Sequence, residues 1–319
     1  MRPSLSVILF TVLAGAGYGL WWLLGAALAA GIYPFDGTGI LVPLAFGFVL
    51  VTAGLLASTA HLGRPERAWR ALSQWSSSWL SREGVASLVT YLPMLAVAWL
   101  AYAHRPGWPV RVAGGWLALC ALVTLVCTAN IYRSLKTIRA WRMPQVLPSY
   151  LVFATLSGGL WLWAWLALAP GNAIRPAFPL ALLALAVIAA VIKTGYWRSI
   201  DRTPVFTAGH ATGLEHLGRV RSFEGPATEQ TYLTREMAFV LARKHSARLR
   251  KGAVILFAIL PVAGIAVALP YRAGWVAPVV AILCLAGLFV ERWLFFAEAR
   301  HAVAAYFPPQ QDRTPSAAR

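Results

Sequence analysis

The sequence predicts an all-α integral membrane protein with eight transmembrane helices. Of its 319 residues, 59% are hydrophobic and only 12% are charged, and the mean hydropathy is +0.64. Apolar runs of about 18 or more residues recur along the chain, and a helix of that length crosses the hydrocarbon core of a bilayer. The runs are too long and too uniformly apolar for the strands of a membrane barrel, in which polar and apolar residues alternate.

Eight apolar runs define the predicted spans. The first run is longer than the core of a signal peptide, which has about 7–15 residues, so we expect it to remain as the first helix. One long polar segment separates the sixth span from the seventh. The predicted spans are residues 5–30, 39–58, 85–103, 113–131, 150–169, 179–196, 252–269 and 276–298.

Basic residues are concentrated on one side of the predicted bundle. Of the 28 lysines and arginines, only Arg105, Arg111, Arg175 and Arg272 fall in the loops on the other side. Because basic loops stay in the cytoplasm, we expect both termini to be cytoplasmic, in the inner membrane of a bacterium. Anionic lipid headgroups and a protein partner then account for the net charge of +17, without nucleic acid.

This topology divides the chain into four parts. Residues 1–196 hold the first six helices and a polar hairpin at 59–84, and residues 252–306 hold the last two helices. The segment 197–251 has too few apolar residues to fold alone, so we expect a cytoplasmic loop that becomes ordered against partner subunits. Residues 307–319 are expected to form a flexible C-terminal tail.

The residue types in the spans argue against several classes of site. All six histidines lie in predicted loops or at helix ends, which disfavours a haem held by two histidines, and no ATP-binding loop occurs. Cys120, Cys127 and Cys284 lie in apolar runs without a CxxC pair, so we expect no iron–sulfur cluster and no structural zinc in this chain. Few charged residues lie within the membrane, which counts against a proton pump with a long buried relay.

A transporter is the remote alternative from another functional class. Many transporter folds have inverted repeats and helices that are broken near the bilayer midplane. Pro93 and Pro261 are the only obvious candidates for such breaks in this sequence. Kinked spans are common in proteins that transport nothing, so this interpretation has little support.

The polar hairpin between the second and third spans has the richest chemistry in the chain. It runs HLGRPERAWRALSQWSSSWLSRE, from His61 at the end of one span to Glu83 at the start of the next. An imidazole and a carboxyl beside an apolar crevice suit a quinone, whose carbonyls need donors, whose reduction needs two protons and whose tail needs lipid. The simpler alternative is an amphipathic hairpin anchored at the headgroups. Arginines recur every three residues, and tryptophans form an interfacial belt: Arg64, Arg67, Arg70, Trp69, Trp75 and Trp79.

A second group of charges lies in the segment LFVERWLFFAEARHAV, residues 288–303. Glu291 and Glu298 are two helical turns apart and share a face. Glu291 and Arg292 are adjacent, so their side chains diverge and we expect no simple salt bridge between them. These charges either extend towards the headgroups from a helix end, or they serve as a proton path or a docking face.

The stretch ASTAHLGRPERAWRALSQWSSSWLSRE resembles the signature of the membrane anchor subunits of dimethyl sulfoxide reductase-type molybdoenzymes. That signature is a span end followed by His-Leu-Gly-x-Pro-x-Arg-Ala, a short helix, and Leu-Ser-x-Glu at the start of the next span. The match includes His61, Arg67 and Glu83 and needs no gap. The segment NIYRSLKTIRAW, which contains Tyr132, fits the end of the family's fourth span, and the eight-helix layout extends the resemblance over most of the chain.

The resemblance implies a three-subunit enzyme in which this chain exchanges electrons with quinone. Its partners would be a catalytic subunit with a molybdenum bis-pterin cofactor and a ferredoxin-like subunit with four iron–sulfur clusters, together with membrane lipids. The anchor itself would hold no haem and no cluster, and the quinone would be ubiquinone or menaquinone. The residues expected at the quinone site are His61, Glu83, Arg67, Trp79 and Tyr132.

Within that family, the sequence looks more like the anchors of cytoplasmic sulfite-oxidising enzymes. The long basic segment after the sixth span and the stretch VERWLFFAEARHAV point to this branch. The predicted cytoplasmic hairpin agrees, because the exported reductases work outside the membrane. We therefore expect electrons to pass from sulfite to quinone. The alternative is a quinol-oxidising anchor of a reductase that acts on dimethyl sulfoxide or another S- or N-oxide.

Overall fold

The computed structural model describes residues 4–59, 64–169, 176–203, 207–218, 220 and 241–302. Within this part of the chain, eight helices are long and apolar enough to cross a membrane, and there are no strands. The predicted all-α membrane fold is therefore confirmed. His61 and the predicted C-terminal tail at 307–319 lie outside the described residues, as do residues 204–206, 219 and 221–240 of the segment between the sixth and seventh spans.

The spans follow one another in alternating directions. Because there are eight of them, α1 begins and α10 ends at the same side of the bundle, here called the termini side. The elements are α1 (Leu5–Ala29), α2 (Gly37–Thr59), a 3-10 helix (Pro65–Leu72), α3 (Trp79–Tyr102), α4 (Trp108–Arg133), a second 3-10 helix (Arg139–Arg142), α5 (Val146–Leu168), α6 (Ala177–Arg202), the short α7 (Ala208–Thr212), a third 3-10 helix (Glu215–Leu217), α8 (Leu241–Val254), a π-helical segment (Ile255–Ile259), α9 (Leu260–Tyr271) and α10 (Val276–Ala297).

Helix α1 is largely buried and contacts α2, α4, α5 and α10. Lipid tails are as apolar as leucine, so membrane helices associate through close packing of small residues rather than through a hydrophobic drive. Gly19 and Gly158 allow the closest approach, between α1 and α5. A Cβ atom on Gly19 would meet the carbonyl of Ala154, and one on Gly158 would meet the backbone of Gly19 and Leu20.

Two apolar clusters fill the bundle. One cluster contains residues of α1, α2, α3 and α4 and part of α5. The other contains residues of α5, α6 and the last two spans, together with the termini-side ends of α1 and α4. Trp21 in the first cluster donates its indole N–H to the carbonyl of Leu44, at 3.1 Å. Trp141 in the second donates to the carbonyl of Phe295, also at 3.1 Å. Buried indoles need such partners, and these two bonds fix α1 to α2 and the Arg139–Arg142 helix to α10.

The seventh span changes its helical type just before a proline. Pro261 has no N–H to offer the carbonyl of Phe257 four residues earlier, and its ring crowds that carbonyl. The chain forms a π-helical turn, Ile255–Ile259, and then continues as α9. Pro93 lies inside the continuous helix α3. Both prolines that could have marked broken transporter helices are therefore contained in helices that run through them.

Several helices extend beyond the predicted apolar runs on the termini side. The third span begins at Trp79 rather than at residue 85, and the sixth ends at Arg202 rather than at residue 196. Hydropathy marks only the hydrocarbon core, whereas a helix can continue into the headgroup layer with polar side chains. As a result, Glu83 lies inside α3, and Lys193 lies well inside α6.

Candidate functional site

The first turn of α3 holds the hairpin that precedes it. Ser81 Oγ donates a hydrogen bond to the carbonyl of Ala71, and Arg82 Nε donates to the carbonyl of Trp75 at 2.9 Å. The Arg82 guanidinium also lies over the ring of Trp79, 4.5 Å from its centroid. These contacts fix the hairpin against the termini-side end of α3.

The 3-10 helix of the hairpin presents a basic and aromatic surface. A 3-10 helix has three residues per turn, so side chains three positions apart are aligned. Arg67 and Arg70 therefore share one edge, Arg64 directly precedes the helix, and all three are exposed. The tryptophans Trp69 and Trp75 are also largely exposed. Such a surface suits the lipid headgroup layer or a partner protein.

Glu83 is a buried carboxyl directly behind this hairpin. It lies four residues after the start of α3, about 6 Å along the helix axis, and it is only 4% exposed. Ser87 Oγ donates a hydrogen bond to Glu83 Oε1 at 3.1 Å. The hydroxyl of Tyr18, on α1, faces Ser87 from the other side. An ionisable group within a membrane span is costly to bury, which makes Glu83 a candidate functional residue.

An apolar groove runs along the outer surface of α3 and α4 and has Arg82 and Trp75 among its lining residues. Its volume is about 420 Å³, which is within the usual size range of small-molecule sites. The walls are made by small and aliphatic side chains from both helices. They include Val85, Ala86 and Val89 of α3, and Leu119 and Val123 of α4. The groove thus combines an apolar wall with a guanidinium and an indole.

Comparison with known proteins identifies the family. The profile of the DMSO reductase anchor subunit (DmsC) family matches residues 1–297. The chain belongs to this family. It is also 33% identical to a sulfite dehydrogenase subunit of Allochromatium vinosum over 334 aligned residues, which cover 96% of this chain and 99% of that relative. The predicted resemblance to the dimethyl sulfoxide reductase-type anchors is confirmed.

The four predicted site residues that the structure of this DmsC-family anchor describes occupy different parts of the termini side. Glu83 and Trp79 lie together at the start of α3, the first buried and the second half-buried. Arg67 is exposed on the hairpin. Tyr132 is buried near the end of α4, where it stacks on Tyr150 with ring centroids 5.8 Å apart, and it lies within electrostatic range of Glu83. The place of His61 in this arrangement stays a prediction.

The DmsC-family anchor also contains a buried ion cluster that the sequence did not reveal as a unit. Lys193, Glu291 and Arg292 are 1%, 0% and 4% exposed. Lys193 Nζ forms an ion pair with Glu291 Oε1, and Arg292 Nε lies 3.4 Å from Glu291 Oε2. The expectation that Glu291 and Arg292 do not pair is wrong, because the long arginine side chain reaches back to its neighbour. Their burial also contradicts the interpretation that they extend towards the headgroups.

Aromatic rings surround this cluster. Lys193 Nζ lies 4.0 Å from the ring centroid of Tyr196, and Arg292 Cζ lies 3.8 Å from that of Tyr150. Ring faces attract cations, and the attraction is stronger in a site without bulk water. The buried cations are therefore stabilised both by one carboxylate and by the rings around them.

Proposed function

We propose that this chain is the quinone-reactive membrane anchor of a three-subunit molybdenum and iron–sulfur oxidoreductase that transfers electrons from sulfite to quinone. The observation that supports this most strongly is the buried carboxyl of Glu83, which lies behind the hairpin. Glu83 does not line the apolar groove itself but is within electrostatic range of Cys127, which does. The relative from Allochromatium vinosum is named as part of a sulfite dehydrogenase, which supports sulfite as the substrate of the catalytic subunit.

The groove between α3 and α4 has the chemistry that a quinone requires. Its aliphatic walls are suited to an isoprenoid tail, and its outer rim, including Leu119 and Val123, is about half exposed and would face lipid. At the other end, the guanidinium of Arg82 has five N–H donors, of which one bonds to the carbonyl of Trp75 and one to the carbonyl of Ser76. A quinone ring carbonyl placed beside Arg82 would accept a hydrogen bond from its guanidinium, in the helical turn that also contains Glu83.

Reduction of a quinone takes up two protons as well as two electrons, and a proton donor has to be within hydrogen-bond reach. Glu83 is suited to this task because it is buried, fixed by Ser87 and within electrostatic range of Cys127 in the groove wall. His61 is the second group that we expect at this position, as a hydrogen-bond donor to a quinone carbonyl. Arg67 is more suited to orienting the hairpin or binding a partner, because it is exposed.

The exposed face of the hairpin is the surface that we expect the iron–sulfur subunit to cover. Its arginines and tryptophans are the residue types enriched at protein interfaces. A ferredoxin-like subunit docked here would bring a cluster close to the groove, and the molybdenum bis-pterin subunit would bind to it in turn. With the termini side in the cytoplasm, electrons and protons would both reach the quinone from that side.

Filling the groove tests this proposal. In the complete complex, Ala86→Trp is expected to raise the KM for quinone at least about tenfold, equivalent to about 1.4 kcal/mol, because the indole would occupy the groove. Sulfite oxidation with a water-soluble electron acceptor should not change. The measurement is steady-state sulfite oxidation with each acceptor, on the same preparation.

The matched control is Leu92→Trp on the same helix, because Leu92 is 66% exposed on the lipid face. It should behave like the unmodified complex with both acceptors. Equal KM values for quinone in all three complexes would contradict the assignment of the groove. A complex that does not reduce quinone with sulfite, but reduces an S-oxide with quinol, would reverse the proposed direction.

A further inference from the structure

A line of buried polar groups connects Glu83 with the opposite edge of the bundle. It begins with the hydrogen bond from Ser87 to Glu83 and with Tyr18, whose hydroxyl faces Ser87. Tyr18 then borders an internal cavity between α1, α4, α5 and α10. The cavity also meets Tyr150 and Arg292, so it joins the surroundings of Glu83 to the buried ion cluster.

The cavity is small but polar enough to hold water. About 20 Å³ is open to the centre of a water molecule, which is room for one. The polar side chains that line it are Thr11, Tyr18, Thr128, Tyr150, Ser157 and Arg292. A buried water is stable where it finds two to four polar partners, and these side chains supply them.

The line continues beyond the cavity through the ion cluster to the surface. Glu291 pairs with both Arg292 and Lys193, as described above. Lys193 is in turn within electrostatic range of Glu298, just beyond the end of α10. Glu298 Oε1 accepts a hydrogen bond from Arg250 Nε at 2.9 Å.

The surface end of the line is an ion pair on the termini side. Arg250 donates to both carboxylate oxygens of Asp201, at 2.6 and 3.0 Å, and the Asp201 side chain is 57% exposed. Burial raises the pKa of the Glu298 carboxyl, although its bond with Arg250 opposes the shift. Glu298 therefore holds a proton more readily than an exposed glutamate would.

Several groups along the line have hydrogen-bonding capacity that the described part of the chain does not satisfy. No hydrogen bond of normal geometry reaches the hydroxyls of Tyr18, Tyr150 and Tyr196 or the Oε2 atom of Glu298 within the described residues, although each atom is buried. Buried polar atoms in proteins normally have partners, and internal water is the usual one where protein groups are lacking. Their occurrence along one line points to internal water beside them.

We propose that these groups form a hydrated proton route that runs from Asp201 and Glu298, through Lys193, Glu291 and the Tyr18 cavity, to Glu83. This rests on the proposed function, because the route would replace the protons that Glu83 gives to the quinone. Each turnover joins one quinone with two electrons from the iron–sulfur subunit and two protons from the termini side, forming two O–H bonds. The proton that leaves Glu83 is replaced through Tyr18, and Glu298 is reprotonated from water near Asp201.

The chemistry of the cluster fits a relay. An arginine keeps its proton in proteins, so Arg292 remains a fixed positive charge beside Glu291, whereas a buried lysine can give up its proton. Lys193 is therefore the member that exchanges protons. Lys193, Glu291 and Glu83 also lie at comparable depths, between about 6 and 14 Å from the termini-side ends of their helices. The route thus runs across the bundle and not through the membrane.

A lateral proton route to Glu83 is needed if a partner subunit covers the exposed face of the hairpin. An iron–sulfur subunit docked on the hairpin would block the direct approach of water to Glu83, whereas neither α6 nor α8 packs extensively against α3 in the described chain. Protons would then enter at the edge of the bundle that this subunit leaves open.

The test uses Lys193→Met and Tyr18→Phe in the complete complex. Lys193→Met leaves the Arg292–Glu291 pair neutral as a whole, and Tyr18→Phe removes one hydroxyl while preserving the packing. Each is expected to slow quinone reduction at least about tenfold and to increase its solvent deuterium isotope effect, because proton delivery becomes rate-limiting. The KM for quinone and the rate with a water-soluble acceptor should stay the same.

Tyr33→Phe is the control, since Tyr33 lies between α1 and α2 at the other side of the bundle and donates a hydrogen bond to the carbonyl of Gly39.

A purely structural cluster would give a different result. If both variants reduce quinone at the normal rate with an unchanged isotope effect, the route is refuted. If Lys193→Met fails to assemble, Tyr18→Phe decides alone. If the unmodified complex itself reduces no quinone, the proposed function fails, which is distinct from a failure of the route alone.

Discussion

Glu83→Gln is expected to lower quinone reduction by the complete complex at least about a hundredfold while leaving sulfite oxidation with a water-soluble acceptor unchanged. Glutamine has the same shape, and its carbonyl can still accept the hydrogen bond from Ser87. It cannot exchange a proton, and removal of a general acid typically costs a factor of about 10²–10⁴. The effect should therefore appear in kcat with quinone, with little change in KM.

Glu66→Gln provides the matched control for this variant. Glu66 is also a hairpin carboxylate, but it is exposed on the Pro65–Leu72 helix. The complex with Glu66→Gln should reduce quinone at the normal rate. If Glu83→Gln retains full quinone reduction, Glu83 is not the proton donor. If it loses activity with both acceptors, the residue is needed for assembly instead.

Gly158→Val is expected to remove the folded anchor from the membrane. The new Cβ would lie on the backbone of Gly19 and Leu20, which cannot move aside as a flexible side chain could. Overpacking a well-filled core costs about 1–3 kcal/mol, and a clash with backbone at the central helix should reach or exceed that range. The measurement is thermal stability of the detergent-solubilised complex together with the amount of the other two subunits retained by membranes.

Gly195→Val on α6 separates this packing effect from the effect of replacing a helical glycine. A Cβ at Gly195 meets no atom within 4 Å outside its own helical turn. This variant should keep normal stability and normal amounts of membrane-bound partner subunits. Equal stability of the Gly158→Val and Gly195→Val proteins would show that the contact between α1 and α5 does not determine the fold.

The spans were predictable because each is a long apolar run, and all eight appear within the described residues. The polar ends of α3 and α6 were not predictable in the same way, since a helix in the headgroup layer needs no apolar residues. Glu83 could be selected from the sequence because it ends the polar hairpin next to a predicted span and matches the glutamate of the family signature. Its contact with Ser87 follows from their spacing of four residues on one helix, whereas its burial required the fold.

The sequence placed Lys193 within the sixth span, but it did not reveal the partners of this lysine. Lys193 lies on the buried face of α6, at helical spacing from Leu182, Ala186 and Ala189, but the run before it is apolar on all sides, so periodicity alone did not identify this face. Its partner Glu291 is 98 positions away, on α10, and only tertiary packing brings the two together. The cavity beside Tyr18 likewise depends on four helices that meet.

The most direct test of the account is photolabelling of the complete complex with a quinone analogue that carries an azide on its ring. We expect the label near the termini-side ends of α3 and α4, within residues 79–90 and 119–133, and we expect excess quinone to prevent the labelling. The Ala86→Trp complex should be labelled weakly. Specific labelling at the other side of the bundle, around Tyr33 and Asp36, would contradict the account.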